Sequence, residues 1–352
     1  MKEIYLLTDY KGRFGSKHST MPYRSGMDRN LLAEFLSEIG YDAKFLNFSN
    51  IDFREMNFKD IPVLYTSQED WGYYYKSYIE DIVLGLEFQG AKVIPSYNYL
   101  RANNNKVFME ILRDQFDDSG IKTIKSYNFG CLEELKAKID KFEFPVVIKS
   151  AAGAMSTGVF LAKNKLELIK LAKKISRTKN LYQEIKDIGR TFKHKGYIKE
   201  SKFREKFIVQ NYVHGLENDW KILIFGDKYY IFKRPNRDND FRASGSGNAN
   251  YKYGKDSDYP SGIFDFAQNI FKKLQIPYLS LDIGYVSNQF YLIEFQALYF
   301  GTVGHEKSNC FFQMKDKIWE RVEIKISIEK VYVDSVVSYL EGMNFDSERV
   351  RL

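Results

Sequence analysis

FPVVIKSAAGAMSTGV, residues 144–159, is the stretch from which the rest of the chain is read. It opens as a buried strand, because the branched Val146, Val147 and Ile148 pack well on a pleated surface. Lys149 ends that strand, a run of Ala, Gly, Ser and Thr follows, and Val159-Phe160-Leu161-Ala162 reads as a return strand. Strand, ammonium, small-residue loop and return strand make a hairpin that can close over phosphates. Small residues let backbone N–H groups approach oxyanions, and a lysine neutralises them as a compact charge. An ordinary hairpin with an exposed lysine has the same spelling, so the surroundings must decide. Two other phosphate motifs are excluded. A Walker loop needs Gly-Lys-Ser/Thr, but Val159 follows Gly158 and the lysine lies upstream; the three-glycine dinucleotide fingerprint and its helix are both missing.

Composition narrows the class. A length of 352 residues allows two or three packed units. Hydrophobic residues make up 44% with no long polar tract, so a sizeable core forms and disorder is excluded. The excess of 53 basic over 46 acidic side chains, +7, suits a nucleotide or an acidic substrate and is too diffuse for DNA or RNA. Cys131 and Cys310 are the only cysteines, which excludes a disulfide framework and a cysteine-rich metal site. The start, MKEIYLLTDY, is too short and too polar for a signal peptide, and no apolar run approaches the ~18 residues of a membrane span. A cytoplasmic chain is expected.

Outward from the hairpin, the first hundred residues read as strands at 4–8, 43–48, 62–66 and 92–95 with helices at 31–39 and 79–88. That alternation predicts a small open α/β domain, whose ligands sit beyond the carboxyl ends of its strands. The loop 9–27, with His18, Tyr23 and Arg24, is then a substrate site or a solvated loop. Lys106 opens a helix, 106–115, where the helix dipole disfavours a cation unless an anion is near. A strand at 123–127 and helices at 132–139 and 166–176 surround the hairpin. Segment 187–206 is strongly basic and reads as a solvated connecting loop, with an electrostatic funnel for an acidic substrate as the alternative. A strand at 207–213, a hairpin of 221–225 with 229–234, a helix at 263–274, a strand pair 279–285 with 289–295 and a helix at 328–339 complete the chain.

Asp282 and Glu294 fall on neighbouring strands amid apolar residues, and Gln296 shares the face of Glu294 by the two-residue period. A buried carboxylate needs a partner. Two carboxylates and an amide oxygen fit a hard divalent ion such as Mg²⁺; Lys or Arg partners in a structural network are the other solution. Arg234 and Arg242 bracket a polar turn, and either hold phosphoryl oxygens bidentately or make surface salt bridges.

The order of these parts resembles the ATP-grasp superfamily, most closely its RimK-type and D-alanine–D-alanine-ligase-like carboxylate–amine ligases. The parts are Lys106, the Lys149 hairpin, VQNYV with Gly215 and Asp219, Arg234, DFRASGSG, and LDIG with LIEFQ. The resemblance covers nearly the whole chain and is weakest over Met1–Pro95. It implies an α/β fold with α+β lobes: a pre-ATP-grasp α/β domain (1–98), a small lobe with a lid hairpin (99–206) and a large lobe with a magnesium site (207–345). By the same resemblance, Lys106 and Lys149 contact ATP phosphates under a lid, Ala151–Gly158, that includes Gly153, Ser156 and Gly158. Gln210, Asn211, Tyr212 and Val213 form the adenine hinge, and Glu217 meets the ribose. Asp282, Glu294 and Gln296 hold Mg²⁺, with Mn²⁺ as a substitute, and Arg242 with Arg234 stabilises the transferred phosphoryl group. Gln296 replaces the usual Asn, Ala297-Leu298-Tyr299-Phe300-Gly301 replaces the usual Ser/Pro-Gly, and Asn211 stands where an acid is frequent.

The implied activity is ATP-dependent ligation of a carboxylate to an amine through an acylphosphate, releasing ADP and phosphate. The carboxylate is a small molecule or is linked to a sugar or peptide; no nucleic acid and no membrane span are expected, and a homo-oligomer stays open. A phosphotransferase acting on a hydroxyl and a non-catalytic nucleotide-binding module are the alternatives.

Overall fold

A computed structural model of the chain describes residues 1–352 apart from 68, 69, 117, 119, 122, 154–156, 179, 239, 244–249 and 350–352, with side-chain surroundings omitted also at 71 and 343–349. The elements run β1 (Lys2–Thr8), α1 (Arg29–Glu38), β2 (Tyr41–Asn47), β3 (Pro62–Tyr65), α2 (Tyr74–Phe88), β4 (Lys92–Ile94), α3 (Tyr97–Ala102), α4 (Lys106–Asp114), β5 (Ser126–Phe129), α5 (Leu132–Ala137), β6 (Val146–Ser150) and β7 (Val159–Ala162). They continue with α6 (Lys165–Ile175), α7 (Leu181–Lys193), β8 (Phe207–Asn211), β9 (Asn218–Phe225), β10 (Lys228–Pro235), β11 (Lys252–Tyr253), α8 (Ile263–Leu274), β12 (Tyr278–Val286), β13 (Gln289–Gln296), α9 (Val303–Lys307), β14 (Phe311–Lys315), β15 (Ile318–Val322) and α10 (Ile328–Arg349). The chain divides into two compact units, one of Met1–Asn103 with Leu216–Leu352 and one of Asn104–Gly215.

The first unit holds two sheets. The N-terminal one is parallel, in the order β2-β1-β3-β4. Helix α1 starts where Asp28 accepts hydrogen bonds from the N–H groups of Asn30 and Leu31, and it buries Leu32 and Leu36, one turn apart. Gly40, at φ +86, turns the chain into β2 in a conformation other residues adopt only under strain. The larger sheet is antiparallel, in the order β13-β12-β9-β10-β14-β15, with β11 paired to β10. Its β12–β13 hairpin closes through Ser287 and Asn288, both left-handed at φ 51 and 59, the backbone that a two-residue turn requires. Val331, Val333, Val336 and Leu340 of α10 join Leu223, Phe225 and Tyr278 of this sheet and Leu32 and Leu36 of α1 in one core.

The second unit is an antiparallel sheet, β5-β8-β6-β7. Helix α6 lays Leu168 and Ala172 on a core that includes Val146, Ile148, Phe207 and Val209. Two parts differ from the sequence reading. Segment 187–206 is not a loop throughout: α7 runs into it to Lys193, because Leu181, Ile185, Ile188 and Phe192 recur at helical spacing across the boundary where the charge-rich reading begins. Strands β14 and β15 have no counterpart there either; Glu320 and Arg321 on this edge mask a strand signal and guard the edge against pairing. Among the described residues no helix is long and apolar enough to cross a membrane.

Candidate functional site

In the second unit, the residues expected at phosphates gather around the hairpin. Lys149 is the fourth residue of β6 and is buried. Lys106 opens α4, also buried, and its backbone N–H donates to the Ala151 carbonyl at 2.8 Å while its ammonium donates to the Gly153 carbonyl at 3.1 Å. The first turn of α4 is thereby fastened to the small-residue loop that follows Lys149. Gly158 lies against Ser150: a Cβ there would stand 1.8 Å from Ser150 Oγ, so side-chain-free backbone is required. Ser156 lies outside the described residues.

Strand β8 carries the expected hinge. Gln210 is buried mid-sheet, in register with Ser126 on one side and Val147 on the other. Its side-chain amide donates to Ser126 Oγ at 2.7 Å, and Ser126 Oγ donates to Glu110 Oε2 at 2.6 Å. Glu110 is fully buried beside Arg113, whose Nη2 stands 3.4 Å from Glu110 Oε1. This network ties α4 to the back of the hinge strand. Asn211 N–H donates to the Lys125 carbonyl at 3.1 Å, while Tyr212 and Val213 follow the end of the strand.

In the first unit, strand register builds a charged grid on one sheet face. Lys221, Asp282 and Glu294 are paired in a row across β9, β12 and β13. Asp219, two residues before Lys221 on the same face, pairs with Arg234 of β10. Ser280 and Gln296 face each other one step further on. A β-bulge between Asp282 and Ile283 inserts Ile293 as an extra residue beside Glu294, a device that re-aims side chains at sheet edges. Arg234 grips Asp219 with two bonds, Nε to Oδ1 at 2.6 Å and Nη2 to Oδ2 at 2.8 Å, and its Nη2 also meets Asp282 Oδ2 at 2.7 Å. The Lys221 ammonium lies 2.9 Å from Asp282 Oδ1 and 3.4 Å from Gln296 Oε1. Ser280 Oγ, also buried, has no hydrogen-bond partner among the described residues.

The electrostatics follow from this crowding. Burial alone would raise the Asp282 pKa, but Arg234 and Lys221 hold that carboxyl well below the usual range. Asp219 goes the other way: burial and the neighbouring Asp282 outweigh its bidentate arginine. Burial works against the Arg234 charge too, but Asp219 and Asp282 raise its pKa further above the ordinary arginine value. Arg242 follows β10 and is clamped by its near neighbour Asp240, Nε to Oδ1 at 2.9 Å. Glu217 is exposed just before β9, and its carbonyl accepts from Asn236 N–H at 2.8 Å.

On sequence grounds Lys221 is not a candidate, and Asp219 is a motif position with no role assigned. Their signal is the alternation Asp219-Trp220-Lys221-Ile222, which sets both charges on one face of a strand whose other face is core.

A sequence-family model described as RimK-like ATP-grasp domain matches residues 102–307. The chain belongs to the RimK-like ATP-grasp family. That family is one of ligases that use ATP. No curated protein matches this ATP-grasp chain in sequence. Among solved structures, a RimK-domain ATP-grasp protein from Sphaerobacter thermophilus is similar with TM-score 0.51 and 12% identity, covering 95% of this chain and 99% of that one. D-cycloserine synthetase DcsG is similar with TM-score 0.54 and 11% identity, over 96% and 99%. Macrocyclase MdnC from Microcystis aeruginosa, solved with precursor peptide MdnA, is similar with TM-score 0.51 and 10% identity, over 96% and 99%. At such identities the likeness is one of fold, and it extends through the N-terminal α/β domain.

ATP-grasp chemistry implies a divalent cation, and the grid can be tested for one. Among the described residues no three His, Cys, Asp or Glu side chains converge as a metal cluster. The oxygen donors the register brings together are the Asp282 and Glu294 carboxylates and the Gln296 amide. These hard oxygen donors suit Mg²⁺, and an ammonium already bridges two of them.

Proposed function

We propose that this protein is an ATP-dependent carboxylate–amine ligase, forming an amide through an acylphosphate and releasing ADP and phosphate. The observation that carries the reading is Asp282 set directly opposite Glu294, beside a bulge, within a matched ATP-grasp domain. Like charges opposite each other destabilise a sheet. Their retention fits a site that must hold positive charge.

In this reading the chain has three parts, 1–98, 99–206 and 207–345. Lys106 and Lys149 neutralise the ATP phosphates, and the loop 151–158 closes over them. Backbone groups at Tyr212 and Val213, beyond the strand end, take the adenine, with Gln210 and Asn211 fixing the strand that leads to them; Glu217 takes the ribose. Asp282, Glu294 and Gln296 would hold Mg²⁺ or Mn²⁺, which when bound supplies Lewis-acid neutralisation of phosphate oxygens. A substrate carboxylate oxygen attacks the γ-phosphorus in line and the β–γ bridge oxygen leaves with ADP. Lys149 and Arg242, with Arg234, spread the developing charge. The amine nitrogen then attacks the acyl carbon, phosphate departs, and one proton is lost from nitrogen. Closure keeps water from the acylphosphate. The likeness to MdnC, solved with a peptide, supports including peptide-linked carboxylates among the acceptors.

The test is an ADP-release screen of carboxylates against amines, with hydroxylamine as a trap and mass detection of the product. Hydroxamate and free phosphate support the ligase. A phosphorylated acceptor replaces it with a phosphotransferase. ATP binding without turnover indicates a non-catalytic module, with Lys221 lying across Asp282 and Gln296 as its physical reason.

A further inference from the structure

Helix α7 is built inside out. Its polar side is the one tied down: the Tyr197 hydroxyl donates to Asp187 Oδ1 at 2.6 Å, the Thr191 hydroxyl to the Asp187 carbonyl at 2.7 Å, and the Lys202 ammonium to Glu184 Oε2 at 2.6 Å. Asp187 is its one buried residue. The apolar side faces outward, with Leu181 76%, Ile185 69%, Ile188 52% and Phe192 88% exposed. Steps of four, three and four residues align these side chains in a single stripe. A core helix would cover that stripe; here the chain's own contacts hold the side that carries Glu184 and Asp187.

The charge beside the stripe is positive. At 100° per residue, Lys186 and Lys193 lie along one edge of the polar side, about 110–130° from the middle of the stripe, while Arg190 points away from the stripe and pairs with Asp187 at 3.2 Å. Residues 181–206 carry eight Lys and Arg against four Asp and Glu. Bare apolar ridges of this extent on soluble proteins mark interaction sites. A second copy of the same segment would bring two cationic flanks together. An amphipathic peptide helix needs a groove to lie in, whereas these residues stand on one convex helix. A plane of negative charge over hydrocarbon satisfies both the stripe and its flank.

We propose that α7 docks on an anionic lipid bilayer, lying in the plane of the interface with Leu181, Ile185, Ile188 and Phe192 in the acyl boundary. Lys186 and Lys193 reach the lipid phosphates from the edge of its polar side. Tyr197 and Lys202, from the segment that follows, hold Asp187 and Glu184, and none of the helix's residues belongs to the proposed nucleotide site. The acceptor carboxylate or the product would then be handled at a membrane surface.

The test uses the full chain, with no nucleotide, in flotation with phosphatidylcholine vesicles that contain or lack phosphatidylglycerol. The expected result is binding to the anionic vesicles, roughly thirtyfold weaker without phosphatidylglycerol, given two bordering lysines at about 1 kcal/mol each. Ile185→Glu with Phe192→Glu should abolish it, and the emission of Phe192→Trp should shift to the blue on anionic vesicles alone. Circular dichroism of each variant establishes that the fold is kept. No flotation, or equal flotation of the Glu double variant, overturns the proposal. So does a dimer, by light scattering, that the Glu double variant converts to monomer, since a second copy would then cover the ridge.

Discussion

Replacing Arg234 with leucine is expected to destabilise the first unit by about 3–5 kcal/mol, the cost of breaking a buried ion pair from one side. The guanidinium serves two carboxylates at once, with bonds of 2.6 and 2.8 Å to Asp219 and a contact of 2.7 Å to Asp282. All three groups are buried. Leucine leaves Asp282 with Lys221 alone and exposes Asp219 to the repulsion of Asp282. Adding Asp219→Asn should recover about 1–3 kcal/mol, because a neutral amide needs no counter-charge. The assay is urea denaturation of the wild type and both variants, read as a shift in midpoint at constant slope. Acidity supplies a signed control. In the wild type the Asp282 pKa is depressed, so its contribution is present above the unfolded value near 4 and lost as pH falls towards the folded one. In Arg234→Leu Asp219 loses its bidentate partner and Asp282 keeps only Lys221, so both folded pKa values rise. The folded variant then binds more protons than the unfolded, so its deficit shrinks as pH falls through those raised values. A variant within about 1 kcal/mol of wild type, or a deficit that grows on acidification, refutes the reasoning.

His305, packed at 4.8 Å from the Tyr230 ring, is held by burial at a pKa of about 4. Its unfolded form takes up a proton first, so stability should fall by about 1.4 kcal/mol per unit as pH drops from about 6.5 towards 4, roughly 3 kcal/mol in all; a His305→Phe series that retains the slope contradicts this. Ser126→Ala should cost about 1–3 kcal/mol by stranding Glu110 Oε2 and the Gln210 amide. It should also weaken ATP binding through the hinge strand, and calorimetry showing unchanged affinity would separate that network from the nucleotide.

What the sequence makes legible is whatever declares itself within a few neighbouring residues. Lys149 and the small-residue loop are contiguous, and Asp282 and Glu294 stand out as acids among Leu, Ile and Phe. Lys106 is legible because a cation at a helix start runs against the dipole. What stays hidden depends on register. Nothing local to Lys221 says that the row across β9, β12 and β13 sets it beside Asp282, or that Arg234 closes on Asp219 from the next strand. Helix α7 is obscured for another reason, since its apolar period begins at Leu181 and its charges dominate only after Asp187. The fate of its apolar face is a tertiary matter: the spacing predicts a stripe, and only packing reveals that the stripe is left uncovered.

The central claim is that Lys149 and Glu294 both serve the binding of magnesium ATP. It is tested most directly by titrating magnesium ATP into wild type, Lys149→Ala and Glu294→Ala in a calorimeter. The account predicts that each substitution weakens binding by at least roughly tenfold, as expected for losing a charge-assisted contact. Glu294→Ala binding ATP as tightly as wild type while Lys149→Ala does not would contradict it, leaving the carboxylate row with no part in the nucleotide site.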